Sequence, residues 1–197
     1  MIIYLHGFNS SPQSKKATQL HEAMIARGIG ERFICPALSH WPVLAMQVLI
    51  AEINKHPRES ITLVGSSLGG FYATYLAEEH GLKAVLLNPA VNPHRDLVKM
   101  LGTQRNLYTG EEYELTARHV RQLEQMFVPA VTARRYLLIA ETGDEVLDYN
   151  EAVARYPGAR KVIVPGGDHA LQSFSVQIPR ILAFAGLDRG LDRGLDR

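Results

Sequence analysis

Ile61-Thr62-Leu63-Val64-Gly65-Ser66-Ser67-Leu68-Gly69-Gly70 joins a short apolar strand pattern to a glycine-rich turn. A helical pattern follows to about His80, where Gly81 stops it. Residues 65–69 match G-x-S-x-G, set between strand and helix as that motif requires. The turn must hold its central serine at the tip on a strained backbone, so the residues two before and two after it must be small. Gly65 and Gly69 meet that demand, and Gly70 gives further room for helix–strand approach. The helix start behind Ser67 offers unpaired N–H groups and the positive end of the helix dipole. The N–H of Leu68 can then point at a developing oxyanion. A nucleotide-binding turn is the competing reading. The chain lacks G-x-x-x-x-G-K-[S/T], however, and this turn is not G-x-G-x-x-G.

Outward from this turn, short β-rich runs alternate with helical patterns. Ile2–Leu5 reads as the first strand, followed by a helix from Ser14, its expected N-cap, to Arg27, with Gly28 as the stop. Arg32–Cys35 is the second strand, and Pro42 opens a helix to about His56. Ala84–Leu87, Arg135–Ala140 and Lys161–Val164 are the fourth, fifth and sixth strands. Asp148–Tyr156 reads as a short helix, and Ser173 to about Gly186 as the last one, with Pro179 a kink or weak point. Such an alternation predicts about six mostly parallel strands with helices on both faces, an α/β domain over residues 1–187. Residues 90–130 break the rhythm. They are polar and helix-like with no strand pattern, and predict a small helical cap after the fourth strand. Gly-Leu-Asp-Arg repeated to Arg197 predicts a low-complexity tail over 188–197, outside the core.

Composition narrows the function classes. Apolar residues make up 46% and charged residues 21%, so the chain can build a full core. No apolar run reaches the roughly 18 residues of a membrane span. The opening Met1-Ile2-Ile3-Tyr4 has no basic region or cleavage site of a secretory signal, so the expected location is cytoplasmic. The single Cys35 excludes an internal disulfide and a multi-cysteine zinc site. A net charge of +1 makes no case for a nucleic-acid partner. No metal or organic cofactor is expected, and the oligomeric state is not legible.

A nucleophilic serine needs a base, and the base needs an orienting carboxylate. In a strand–turn–helix setting they follow in the order serine, acid, histidine, on loops at the carboxyl ends of strands. Among eight histidines, only His169 has that order and position, directly after the sixth strand. His6 follows the first strand and is expected to hold its loop by hydrogen bonds. The loop after the fifth strand offers Glu141, Asp144, Glu145 and Asp148. Asp144 follows a glycine and is the expected acid, with Val146 anchoring its loop in the core. Asp148 is placed to cap a helix, and Glu141 and Glu145 to be solvated. The loop His6-Gly7-Phe8-Asn9-Ser10-Ser11 should supply a second oxyanion donor, the N–H of Phe8, with Asn9 and Ser10 on the pocket rim. Val120, Leu123 and Phe127 form one apolar helical face. Leu123 and Phe127 are candidates for the acyl pocket, the alternative being a purely core role.

Leu5-His6-Gly7-Phe8, Gly65–Gly70, Gly143-Asp144-Glu145-Val146 and Gly166-Gly167-Asp168-His169 together resemble the α/β-hydrolase superfamily. The stretches YLHGFNSSPQSKKA, VGSSLGGFYATYLAE and TGDEVLDY are similar to the small YqiA-like bacterial esterases. The resemblance spans about residues 1–187. It implies a compact hydrolase acting on small acyl esters, with Ser67, Asp144 and His169 as triad. A thioesterase for acyl-CoA or an acyl carrier is the nearer alternative. A catalytically silent binding module is the more distant one.

Overall fold

The computed structural model of the protein describes residues 1–188. The Gly-Leu-Asp-Arg tail expected at 188–197 therefore lies, but for Asp188, outside the described residues. The elements run β1 (Ile2–Leu5), α1 (Lys15–Ile25), β2 (Phe33–Ile34), α2 (Pro42–Ile53), β3 (Thr62–Ser66), α3 (Leu68–His80) and β4 (Lys83–Leu87). They continue with α4 (Pro93–Leu97), β5 (Gly102–Arg105), β6 (Glu112–Leu115), α5 (Ala117–Gln125), β7 (Tyr136–Glu141), α6 (Tyr149–Arg155), β8 (Arg160–Val164) and α7 (Phe174–Phe184).

Six strands form one sheet in the order β2-β1-β3-β4-β7-β8, and every pairing is parallel. The near-continuous apolar strands follow from this, because both faces are covered. Ile3, Leu5, Leu63, Leu86 and Leu138 point to one side, into a core with Leu49 of α2, Phe71 and Leu76 of α3 and Tyr156 at the end of α6. Ile2, Tyr4, Val64, Val85 and Ile139 point to the other, against Leu20 and Met24 of α1 and Phe174, Ile178 and Ile181 of α7. Each fully buried side chain of this kind contributes about 1.5–3 kcal/mol. The expected parallel sheet with helices on both faces is thus present.

The segment between β4 and β7 departs from expectation. It contains a β-hairpin as well as helices: β5 and β6 pair antiparallel from Gly102↔Leu115 to Arg105↔Glu112. Asn106 closes the turn, its side-chain oxygen accepting from the N–H groups of Tyr108 and Thr109 at 2.9 and 3.0 Å. Pro179 does not break α7. The carbonyl it frees belongs to Ser175, and both residues are exposed, so water can replace the lost bond.

Candidate active site

The carboxyl ends of β1, β3, β7 and β8 deliver the loops of the site to one end of the sheet, where ligands of such sheets bind. Ser67 sits between β3 and α3 with φ +53 and ψ −121, a region that non-glycine residues rarely adopt. The turn is closed by the Ser67 N–H donating to the Leu87 carbonyl at 3.0 Å and the Gly70 N–H to the Ser67 carbonyl at 2.9 Å. Small residues are obligatory around it. A Cβ on Gly65 would run into the Gly69 carbonyl, and one on Gly69 into the Leu5 carbonyl.

A chain of hydrogen bonds leads away from the serine. His169 Nε2 lies 3.1 Å from Ser67 Oγ. His169 Nδ1 lies 2.9 and 3.0 Å from the two oxygens of Asp144. The Asp144 side chain is almost fully enclosed, at 2% exposure, while His169 keeps 24%. Burial alone would raise the Asp144 pKa, but His169 and the N–H groups of Leu147 and Val146 outweigh it and hold the carboxyl below its ordinary range. Oδ1 accepts from those two N–H groups at 2.9 Å each. Val146 itself is 62% exposed, so it does not anchor this loop in the core. Its backbone orients the carboxylate instead. Asp148 caps α6 by accepting from the Asn150 N–H at 2.9 Å.

Two further residues fix these loops. Glu141 is buried at 1% exposure, contrary to the expected solvation. Its carboxylate accepts from the N–H groups of Asp168, Gln172 and Ser173 at 2.9, 3.0 and 2.7 Å, folding the His169 loop around itself. Burial raises the Glu141 pKa, yet these donors prevail and keep it below the ordinary value. Asn88, after β4, accepts from the Glu141 N–H at 2.9 Å and donates to the Asp168 carbonyl at 2.9 Å. Glu145 is exposed and accepts from the His169 N–H at 3.0 Å. Periodicity could not reveal the Glu141 and Asn88 roles. The only sequence signal was their place at strand ends.

The loop after β1 packs on the serine. A Cβ on Gly7 would sit 3.3 Å from Ser67 Cβ. His6 holds this loop as expected: its Nε2 accepts from the Leu38 N–H at 3.1 Å, so Nδ1 carries the proton and donates to the Gly7 carbonyl at 3.1 Å. Burial pushes the His6 pKa down, in keeping with this neutral form. Among the described residues, the N–H groups of Phe8 and Leu68 have no hydrogen-bond acceptor.

Beside Ser67 and His169 opens a cavity of about 800 Å³, walled by Phe8, Asn9 and Ser10, the start of α1, the His169 loop, and Leu107 and Tyr108. Neither Leu123 nor Phe127 reaches it. Leu123 is 1% exposed, packed with Met126 in the core, and Phe127 lies on the surface under the Arg155 guanidinium, 5.1 Å from its ring centre. The hairpin displaces α5 from the cavity and supplies the wall in its place. Among the described residues, no group of three or more His, Cys, Asp or Glu side chains is placed to hold a metal ion. No described helix is long and apolar enough to cross a membrane.

The model of the uncharacterised protein family UPF0227 matches residues 1–186. The chain belongs to this family. A UPF0227 protein of Serratia proteamaculans (strain 568) is 26% identical over 193 residues, 95% of this chain and 99% of the relative. Among solved structures, a protein from Agrobacterium vitis S4 shares the fold of this UPF0227 chain with a TM-score of 0.77 at 20% identity, over 93% of this chain and 87% of the other. Mouse α/β hydrolase domain-containing protein 10 matches with a TM-score of 0.68 at 17% identity, over 94% and 89%. The fold of this UPF0227 member is that of the α/β hydrolases.

Proposed function

We propose that the protein is a serine hydrolase that cleaves small carboxylic esters through an acyl-enzyme. One observation carries the reading: an unbroken hydrogen-bond chain from Ser67 Oγ through His169 to Asp144, beginning at a strained turn on the wall of a cavity. In this mechanism His169 Nε2 takes the Ser67 proton as Oγ attacks the ester carbonyl. The carbonyl oxygen becomes an oxyanion, received by the N–H groups of Phe8 and Leu68. Collapse breaks the carbon–oxygen bond, and His169 returns its proton to the leaving alcohol. Water, deprotonated by the same nitrogen, then attacks the acyl-enzyme and releases the acid, restoring Ser67. Asp144 keeps the proton of the neutral imidazole on Nδ1 and stabilises the cation formed in each half-reaction.

Covalent labelling with a fluorophosphonate tests the nucleophile, and hydrolysis of p-nitrophenyl butyrate tests the activity. Wild type should do both. Ser67→Ala should lose labelling and at least about a thousandfold of turnover, because triad members act as a unit. Ser66→Ala should keep both. Labelling that survives in Ser67→Ala, or an inactive wild type, overturns the reading. A matched thioester turned over faster than the oxygen ester would assign the site to thioester hydrolysis.

A further inference from the structure

The loop that carries Phe8 is held on its outer side by the β5–β6 hairpin rather than by the sheet. The Tyr113 hydroxyl donates to Asn9 Oδ1 at 2.6 Å, and Asn9 Nδ2 donates to Gln104 Oε1 at 3.2 Å. The Leu107 N–H donates to the Asn9 carbonyl at 3.0 Å, and Asn106 Nδ2 to the Ser10 carbonyl at 2.9 Å. All of these bonds converge on the two residues that follow Phe8. Asn9 has φ +52, in the left-handed region that asparagine enters more readily than other residues with a side chain, and the four bonds fix it there.

We infer that the hairpin is a brace for the oxyanion loop, with Tyr113 as the positioning residue that aims the Phe8 N–H at Ser67 by fixing Asn9. The inference rests on the serine-hydrolase reading for its catalytic meaning. The Tyr113 ring is itself immobilised, stacked on His40 with centres 4.1 Å apart and planes 18° from parallel. His40 Nδ1 lies 3.1 Å from Nε2 of His119, which is buried at the start of α5. The brace is thus tied into the body of the protein. Burial pushes the Tyr113 hydroxyl up to about 12, so it remains a proton donor throughout the neutral range. Oxyanion donors act only where they are aimed, and a displacement on the order of 1 Å costs about a hundredfold in rate. Gly7 fixes one end of the loop by packing on Ser67. The hairpin fixes the other end.

The test is hydrolysis of p-nitrophenyl butyrate by wild type, Tyr113→Phe, Asn9→Ala and the double variant, with amide hydrogen exchange of residues 6–11. Tyr113→Phe keeps the ring on His40 and removes only the hydroxyl, so the fold should survive. It should lower kcat about tenfold with KM within about twofold of wild type, and weaken binding of an aryl boronic acid by a similar factor. Exchange over 6–11 should quicken. In the Asn9→Ala background, Tyr113→Phe should cost no more than about twofold further, because both act through one contact. Independent losses in the two variants overturn the route through Asn9. Quickened exchange with unchanged kcat overturns the catalytic role. Unchanged exchange over 6–11 overturns the brace. An inactive wild type sinks the serine-hydrolase reading and the aiming role with it, while the exchange measurement still decides whether the hairpin holds the loop.

Discussion

The Glu141 carboxylate fills the space that a side chain on residue 167 would need. A Cβ on Gly167 would lie 2.9 Å from Glu141 Cγ and nearer still to the carboxylate. Residue 167 also has φ +73, which an L side chain resists. Gly167→Ala must therefore push Glu141 off the N–H groups it holds, or shift the His169 loop. A loss on the order of 3 kcal/mol in stability is expected, combining backbone strain with weakened charged hydrogen bonds. Thermal denaturation and ester turnover should fall together. A fully active variant with an unchanged Tm would show that the loop yields freely.

The same carboxylate makes stability depend on pH. Its folded pKa is lowered from the ordinary 4.5, so its contribution is complete above that value and is lost as pH falls through the lower folded value. Glu141→Gln should cost on the order of 2 kcal/mol at pH 7, since one amide oxygen cannot serve three N–H donors. In denaturant titrations the gap between wild type and variant should be constant near neutrality and narrow below about pH 4. A gap that widens in acid would contradict the assignment.

Asp144 and Asp148 sit in the same loop but are tied to different partners. Asp144→Asn should reduce kcat by about a thousandfold or more, because the amide cannot hold His169 in the required tautomer. Asp148→Asn retains an oxygen for the Asn150 N–H and should keep most activity. Steady-state kinetics on the two purified, folded variants decide between them, and the reverse order would move the acid to Asp148.

Substrate length should be read by the hairpin tip and not by α5. Leu107 and Tyr108 line the cavity, whereas Leu123 is core. Leu123→Ala should cost about 2–5 kcal/mol of stability and leave the ratio of kcat/KM between butyrate and laurate p-nitrophenyl esters unchanged. Tyr108→Ala should change that ratio with little effect on Tm. If Leu123→Ala shifts the ratio in folded protein, the cavity extends further than its present wall.

Much of this was readable from residues 61–70 and the strand pattern, because apolar runs between glycine stops dictate a sheet covered on both faces. The hairpin was missed for a physical reason. In its first strand the half-buried positions are Gly102 and Gln104 and the exposed ones Thr103 and Arg105, so Gly102–Arg105 carries no apolar alternation to read. Glu112-Tyr113-Glu114-Leu115 does alternate, after a Thr109-Gly110 turn, and was the available signal. Reading Val120, Leu123 and Phe127 as one face also misassigned its edge. Met126 is buried at that turn of the helix and Phe127 is exposed. Glu141 looked like a surface acid because nothing in a single sequence tells a carboxylate in water from one ringed by backbone N–H groups.

The separation between Ser67 and His169 has a kinetic side. They lie 102 residues apart, while the turn at Ser67 needs only β1, β3 and β4 around it. Contacts so distant in sequence close late and slowly, because the chain entropy between them must be surrendered first. During refolding, far-UV circular dichroism should recover before fluorophosphonate reactivity does. A chain emerging from the ribosome would likewise carry Ser67 without its His169 partner until β8 and the turn beyond it have been made. Coincident recovery of the two signals would mean that sheet and site assemble in a single step.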